Sequence, residues 1–184
     1  MDIDVVFVDA TSDVAGAVAV TAKTRVLLLE TIANPRTQVA DLARIGEFCA
    51  QHGLVYVVDN TMTSPFLFQP KTVGASLVIN SLTKYIGGHG NALGGAATET
   101  GNFDWTSFPN IYPDYQGGDA AKWGITQIKK KGLRDFGASL GPEAAHHIAM
   151  GSETLALRVQ RQSDNALAMC RFLRDHPQVK RVYY

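Results

Sequence analysis

The sequence has little cysteine, and this argues against two ways of stabilising a domain. The two cysteines among its 184 residues, Cys49 and Cys170, lie far apart in segments with helical spacing, and neither belongs to a CxxC motif or a Cys/His cluster. The sequence therefore suggests neither a disulfide framework nor a zinc site, and no metal site is predicted. Free cysteines are typically small buried groups, so we expect both thiols to be buried and the setting to be reducing and cytoplasmic.

An excess of charge of either sign is also missing. Lysine plus arginine and aspartate plus glutamate each number 17, which gives a formal net charge of zero. A nucleic-acid-binding protein usually has a basic excess, so nucleic acid is not an expected partner. No apolar run reaches membrane-spanning length, and the acidic start MDIDVVFVDATSD lacks the basic character of an export signal, so membrane association is not expected.

What the chain does contain is a succession of short apolar runs and amphipathic segments, with 46% hydrophobic residues, enough for a folded core. Strands are predicted at residues 5–8, 25–30, 54–58, 76–80, 93–98 and 179–184. Helices are predicted at 12–21, 39–52, 123–136, from Pro142 onward and at 152–175, with a loop at 102–116. This alternation predicts an α/β domain with a mostly parallel sheet.

The long helix predicted at 152–175 has two distinct sides. Its apolar stripe consists of Leu155, Val159, Ala166, Cys170 and Leu173. Its arginines at 158, 161, 171 and 174 are expected mostly to face away from the core.

Parallel sheets bind ligands beyond the carboxyl ends of their strands, which directs attention to Glu30, Asp59 and Ser81. Asp59 follows five consecutive apolar residues in LVYVVDNT. It could cap the next turn, as aspartate often does. Alternatively, a carboxylate in such a poorly hydrated position could face a cation, for example the protonated ring nitrogen of a pyridoxal cofactor.

A lysine stands in an unusual context in SLTKYIGGHG (81–90). Lys84 alone is best interpreted as a surface lysine of a glycine-rich loop. Its neighbours favour another interpretation, because the hydroxyls of Ser81 and Thr83 can contact a phosphate ester and the following glycines allow close backbone approach. An amine beside such a site can bind an aldehyde covalently and, once displaced, act as a general base.

Other ligand classes fit these motifs less well. A Walker loop has its glycines before the lysine and its hydroxyl after it, the reverse of the order here. GGHGNALGG does not match GxGxxG, which leaves a nucleotide site at 87–95 only a remote alternative. GxSxG is absent, and the histidines at 146, 147 and 176 are interpreted as structural, whereas His89 stays ambiguous.

Four segments together resemble the pyridoxal-phosphate-dependent enzymes of cysteine and methionine metabolism. They are ETIANP (30–35), VVDNTMTSPFLFQP (57–70), GASLVINSLTKYIGGHG (74–90) and GSETLALRVQRQSDNA (151–166). The resemblance implies a fold-type-I enzyme that uses pyridoxal 5'-phosphate and assembles as a homodimer or homotetramer. It implies that Lys84 binds the cofactor covalently, Asp59 meets the pyridine nitrogen, Ser81 and Thr83 hold the phosphate, and Asn34 lies near the phenolic oxygen, with Glu30 in support.

The resemblance also implies that the chain corresponds to the central part of a longer protein. Residues 1–150 are expected to be the central part of the large cofactor-binding domain, and residues 151–184 a long helix and the start of a C-terminal small domain. The family's phosphate loop, its ring-stacking tyrosine and its carboxylate-binding arginine have no counterpart here. We therefore expect the isolated chain to bind cofactor weakly and to be almost inactive.

The expected activity is γ-replacement or γ-elimination on an activated homoserine or a sulfur amino acid, of the cystathionine γ-synthase type. O-Acetylhomoserine sulfhydrylase activity and cystathionine or methionine γ-lyase activity are alternatives. A further alternative, from another class, is a catalytically incompetent fragment of such an enzyme. The expected partner is a small amino-acid substrate.

Overall fold

A computed structural model describes residues 3–11 and 20–184. Its strands are β1 (Val26–Glu30), β2 (Val55–Asp59), β3 (Leu77–Ser81) and β4 (Gly95–Glu99). Its α-helices are α1 (Leu42–Gln51), α2 (Ser64–Leu67), α3 (Trp123–Gln127), α4 (Pro142–Ser152) and α5 (Leu155–Arg174). Short 3₁₀ turns lie at Pro70–Val73, Trp105–Ser107, Pro113–Tyr115 and Ala120–Lys122, and wider π-type turns at Leu82–Ile86 and Ile128–Phe136.

The four strands form one sheet in the order β1-β2-β3-β4. β1, β2 and β3 run parallel, and β4 returns antiparallel to β3. The chain is therefore α/β with a mostly parallel sheet, as the alternating pattern predicts. The parallel arrangement brings the carboxyl ends of β1, β2 and β3 to one edge.

β2 is buried on both faces of the sheet. Tyr56 and Val58 belong to a cluster with Ile45 and Cys49 of α1, whereas Val55 and Val57 face the other side. On that side they pack with Leu77 and with the aromatic segment around the buried Trp105. Alternate residues of a strand point to opposite faces, so a continuous apolar run is stable only where both faces are covered.

Helix α1 begins and ends where its sequence indicates. The Asp41 side chain accepts a hydrogen bond from the Arg44 N–H (3.1 Å), which satisfies an otherwise unpaired helix donor. Just beyond the end of the helix, Gly53 has a φ of 63°, a left-handed conformation that glycine adopts more easily than other residues. The helix is therefore shorter than the predicted 39–52 by three residues at its start and one at its end.

Some predictions for the elements are wrong. Residues 5–8 and 179–184 form no strand among the described residues, because no neighbouring strand supplies the hydrogen bonds that a strand requires. The predicted helix at 123–136 divides into α3 and a π-type turn. Cys170 is half-buried, whereas Cys49 is fully buried as expected. The helix predicted at 12–21 falls mostly on residues 12–19, which lie outside the described residues.

Candidate active site

Polar side chains that follow the three parallel strands meet around one cavity of about 650 Å³. Glu30 ends β1, Asp59 ends β2 and Ser81 ends β3, and Lys84 follows in the turn after β3. All four residues line the cavity, and Asn34 does so too. The structure thus places together the amine and the carboxylate that the sequence singles out.

The turn after β2 fixes the orientation of Asp59. Its Oδ1 accepts a hydrogen bond from the Thr61 N–H at 2.9 Å, and the Thr61 hydroxyl accepts one from the Ser81 N–H at 2.8 Å. Asp59 is half-buried at the wall of the cavity. Asp59 therefore caps the next turn, as the first interpretation predicts, while its side chain remains on the cavity. Turn capping and contact with a cation are thus compatible roles.

Buried amides behind Asp59 connect the ends of β2 and β3. Asn80 donates through Nδ2 to the carbonyl of Asn60 (3.0 Å), and Asn60 donates through Nδ2 to the carbonyl of Phe68 (2.9 Å). The Asn60 Oδ1 accepts from the Thr63 hydroxyl. A shift of one strand end against the other would break these bonds and leave buried polar groups without partners, which costs free energy. The network therefore holds the strand ends in one arrangement.

Lys84 lies in a π-type turn of unusual backbone conformation. Its φ and ψ angles of −87° and −118° depart from helical values, and its carbonyl accepts the Gly88 N–H at 2.7 Å. The lysine is exposed to the cavity. Within residues 3–11 and 20–184, no hydrogen bond or ion pair engages its ammonium group, which leaves the amine available to a ligand.

Two further residues predicted to bind the cofactor differ in placement. Asn34 lies on the cavity, and its backbone N–H donates to Oε2 of Glu30 at 2.9 Å. Thr83 does not line the cavity. Its hydroxyl accepts the Gly94 N–H (3.0 Å) and donates to the Gly94 carbonyl (3.2 Å), which ties the turn to the loop before β4.

Sequence reasoning missed Arg158 and Gln162, which line the cavity from α5. Arg158 is half-buried and donates to the carbonyl of Tyr85, so the expectation that it faces away from the core is wrong. Their four-residue spacing places them on one helix face, but the sequence does not show that this face is turned toward the cavity. Thr61, Met62 and Tyr85 also line the cavity, and all three stand inside the motifs noted above.

The groups around the cavity fit a phosphorylated aldehyde that carries a basic ring. Lys84 offers an amine for the aldehyde, Asp59 a carboxylate for a ring cation, and Ser81 a hydroxyl for a phosphate oxygen. Gly88 and Gly90 line the same cavity with φ angles of 74° and 65°, so backbone approaches there without a Cβ. No cluster of three histidine, cysteine, aspartate or glutamate residues suited to a metal occurs among the described residues.

No helix among the described residues is both long enough and apolar enough to cross a membrane.

Comparison with known proteins gives a consistent result. The chain matches the family described as Cys/Met metabolism PLP-dependent enzyme over residues 1–184. It is 36% identical to the O-acetyl-L-homoserine sulfhydrylase of Leptospira meyeri, in an alignment that covers 100% of this chain and 46% of that protein. The chain therefore spans less than half the length of this curated relative.

Solved structures agree in fold. An O-acetylhomoserine sulfhydrylase of Wolinella succinogenes superposes with a TM-score of 0.80 at 35% identity, over 88% of this chain and 46% of that one. A Campylobacter jejuni protein assigned as an O-acetylhomoserine (thiol)-lyase gives 0.77 at 33% identity, over 90% and 43%. That structure contains a lysine linked to pyridoxyl phosphate. The sequence match along the whole chain and the shared fold show that this chain belongs to the Cys/Met metabolism PLP-dependent enzyme family.

Proposed function

We propose that the protein replaces the γ-substituent of an activated homoserine by a thiol, as an O-acetylhomoserine sulfhydrylase does. The observation that carries the proposal is the convergence of Lys84 and Asp59 on one cavity at the carboxyl ends of parallel strands. When bound there, pyridoxal 5'-phosphate supplies an electron sink for negative charge that develops on the substrate. Residues 1–150 would contribute to its binding domain and residues 151–184 to the start of the following domain.

Lys84 is the residue to which we assign both the covalent anchor and the proton transfer. Its Nζ is exposed to the cavity and would hold the cofactor through the aldehyde carbon. Once the amino group of a substrate had displaced it, the free Lys84 amine would remain beside the substrate and would act as the base that removes the proton from Cα. Holding the base next to the reacting carbon converts an encounter between molecules into a step within one complex.

Asp59 is the residue to which we assign the ring nitrogen. A half-buried carboxylate stabilises a nearby cation more strongly than a fully hydrated one, so it would keep a pyridine nitrogen protonated. The Thr61 N–H holds one carboxylate oxygen, so the side chain would need little reorganisation to bind the cation.

A phosphate group would be held in the same cavity by a hydroxyl and by backbone. Ser81 and the glycines at 88 and 90 line this cavity. The Thr83 hydroxyl is engaged with Gly94, so we assign it to the support of the turn, with Ser81 as the hydroxyl that reaches the ligand.

The choice of thiol replacement is supported by the relatives. The Leptospira meyeri and Wolinella succinogenes proteins are both named O-acetylhomoserine sulfhydrylases. In such a reaction the acetate group leaves from Cγ, and the thiol sulfur loses its proton and forms the new bond to that carbon. Without a thiol, elimination would instead give a keto acid and ammonia.

The assignment of Lys84 is tested directly by absorbance and borohydride. Because the chain spans less than half of its relatives, the experiment uses the full-length protein with added cofactor. We expect a yellow protein in which borohydride fixes the cofactor on Lys84, as located by peptide mass spectrometry, and no fixation in Lys84→Ala. Fixation on Lys23 or Lys71, or no bound chromophore, would contradict the assignment.

Product analysis tests the reaction type. The full-length protein is incubated with O-acetylhomoserine, O-succinylhomoserine, cystathionine or methionine, each without a thiol, with hydrogen sulfide or with an organic thiol. From the activated homoserines we expect homocysteine with hydrogen sulfide and a thioether with an organic thiol. Keto acid and ammonia from cystathionine or methionine, with no thiol-dependent product, would indicate a lyase instead.

A further inference from the structure

Arg158 binds the segment that directly follows Lys84. Its Nη1 donates to the carbonyl of Tyr85 at 2.8 Å, and its Nη2 donates to the carbonyl of Ile86 at 3.2 Å. These carbonyls belong to the two residues after the lysine, although Arg158 lies in α5, more than 70 positions later. The side chain thus connects the first turn of a helix to the turn that presents the amine.

The guanidinium is itself held in place from the other side. Its Nη2 also donates to the carbonyl of Gly151 at 2.7 Å, and its Nε donates to the hydroxyl of Thr154 at 3.0 Å. All three nitrogens therefore have partners. Every partner is a neutral oxygen, and none of the ion pairs among the described residues involves Arg158. The planar guanidinium therefore binds these oxygens through the fixed directions of its N–H donors, which the ammonium group of lysine cannot reproduce.

Glycines bring the two segments into direct contact. A Cβ on Gly88 would lie 2.3 Å from Nη1 of Arg158, and a Cβ on Gly151 would lie 1.9 Å from the carbonyl oxygen of Gly87. Both distances are shorter than any real Cβ contact. The turn after Lys84 is therefore pressed against the guanidinium and the end of α4, with no space for a side chain between them.

We propose that Arg158 is a positioning residue for Lys84, which fixes the π-type turn so that the amine is directed at the reacting atoms. The proposal rests on the assignment of Lys84 as the reacting amine. The backbone of Lys84 departs from helical values, and such a conformation persists only where surrounding groups hold it. Two hydrogen bonds to the turn supply that constraint. They come from a guanidinium that two more hydrogen bonds hold in place.

The test compares Arg158→Lys, which keeps the charge, with Arg158→Gln, which keeps two donors. The matched control is Arg161→Gln, at an exposed position of the same helix. In the full-length protein without cofactor, hydrogen exchange of the Gly87 and Gly88 amides should accelerate at least about tenfold in both Arg158 variants, since a charged hydrogen bond is lost. Exchange in β2 and the control variant should stay unchanged.

With cofactor, positioning should appear in the turnover number rather than in substrate affinity. We expect kcat to fall at least about tenfold in both Arg158 variants while KM stays within about threefold. Restoration of kcat by lysine would overturn the proposal, because charge alone would then suffice. A raised KM at unchanged kcat would also overturn it, because Arg158 would then be a ligand of the substrate.

Two further measurements keep the proposal falsifiable on its own. If the Arg158 variants do not fold, Thr154→Val is used, because it removes the oxygen that accepts from Nε. It should accelerate amide exchange and lower kcat in the same direction but by a smaller factor. Unchanged exchange at Gly87 and Gly88 would overturn the proposal. Exchange is measured without cofactor and borohydride labelling without substrate. Unchanged exchange with label on Lys84 therefore refutes the positioning role alone, and label elsewhere refutes the proposed function.

Discussion

Glu30 and Asp59 are direct register partners at the carboxyl ends of the neighbouring strands β1 and β2. Both carboxylates line the same cavity, yet they are fixed differently. Asp59 is half-buried and bonded within its own turn, whereas Glu30 is exposed and accepts the Asn34 N–H. This difference in burial supports the proposal that Asp59, and not Glu30, is the electrostatic partner of the cofactor.

The first prediction separates the charge of Asp59 from its role in the turn. Asp59→Asn retains an oxygen for the Thr61 N–H and loses the negative charge. We expect kcat/KM to fall about 10²-fold and cofactor affinity to fall as well, since one partner of a shielded ion pair is removed. Glu30→Gln, the matched control, should change either quantity less than about threefold. Cofactor titration by absorbance and steady-state kinetics measure both, and equal losses in the two variants would contradict the assignment.

The second prediction concerns the packing of α1 against the turn that precedes β3. A Cβ on Gly46 would lie 1.9 Å from the carbonyl oxygen of Val73, a backbone atom that cannot rotate away. Gly46→Ala should therefore lower the free energy of unfolding by about 1–3 kcal/mol, although alanine favours helix. Gly132→Ala, where an added Cβ would meet no described residue outside its own turn within 4 Å, should be neutral or stabilise by up to about 1 kcal/mol. Urea denaturation measures the unfolding free energy of both variants. A Gly46→Ala protein as stable as the unsubstituted one would refute the close contact.

The third prediction concerns the buried Trp105 on the other face of the sheet. Its indole N–H donates to one oxygen of Glu99, and the Ile125 N–H donates to the other at 3.3 Å. Glu99→Gln replaces one acceptor with a donor, so a hydrogen bond is lost and two donors face each other. We expect a loss of about 1–3 kcal/mol in unfolding free energy. Asp104→Asn, which keeps its cap on Thr106, should change it by less than about 0.5 kcal/mol. Urea unfolding followed by tryptophan fluorescence tests the difference.

The central strands and the site between them could be predicted because local composition decides them. The run LVYVV is apolar throughout, and a strand of this kind is stable only when covered on both faces, as β2 is. Parallel pairing then brings the strand ends at Asp59 and Ser81 to one edge. Lys84 lies near the same edge because it follows β3 in the next turn.

Other features could not be predicted because they depend on contacts between distant segments. Residues 5–8 have the composition of a strand, but a strand forms only with a partner, and composition does not supply one. Arg158 has the spacing of an exposed arginine on an amphipathic helix. Its inward orientation follows from the free carbonyls of the turn after Lys84, which meet it only in the folded chain.

The last prediction concerns alkaline pH. Burial raises the pKa of the Cys49 thiol from its ordinary 9.0 to about 12, because the thiolate is poorly solvated between α1 and the sheet. Above about pH 9 the unfolded chain loses this proton while the folded chain keeps it. The unfolded state then binds fewer protons, so the free energy of unfolding should fall as the pH rises, by up to about 1.4 kcal/mol per unit from this group.

Burial also raises the pKa of Tyr56, which packs in the same cluster and should add to the loss at higher pH. Urea denaturation at pH values from about 7.5 to 10.5 measures the total slope. Cys49→Ala removes the thiol, so its absolute stability should be lower because of the cavity, but its slope above pH 9 should be shallower than that of the unsubstituted protein. Identical slopes would mean that the Cys49 thiol titrates alike in both states, in conflict with its 1% exposure in the core.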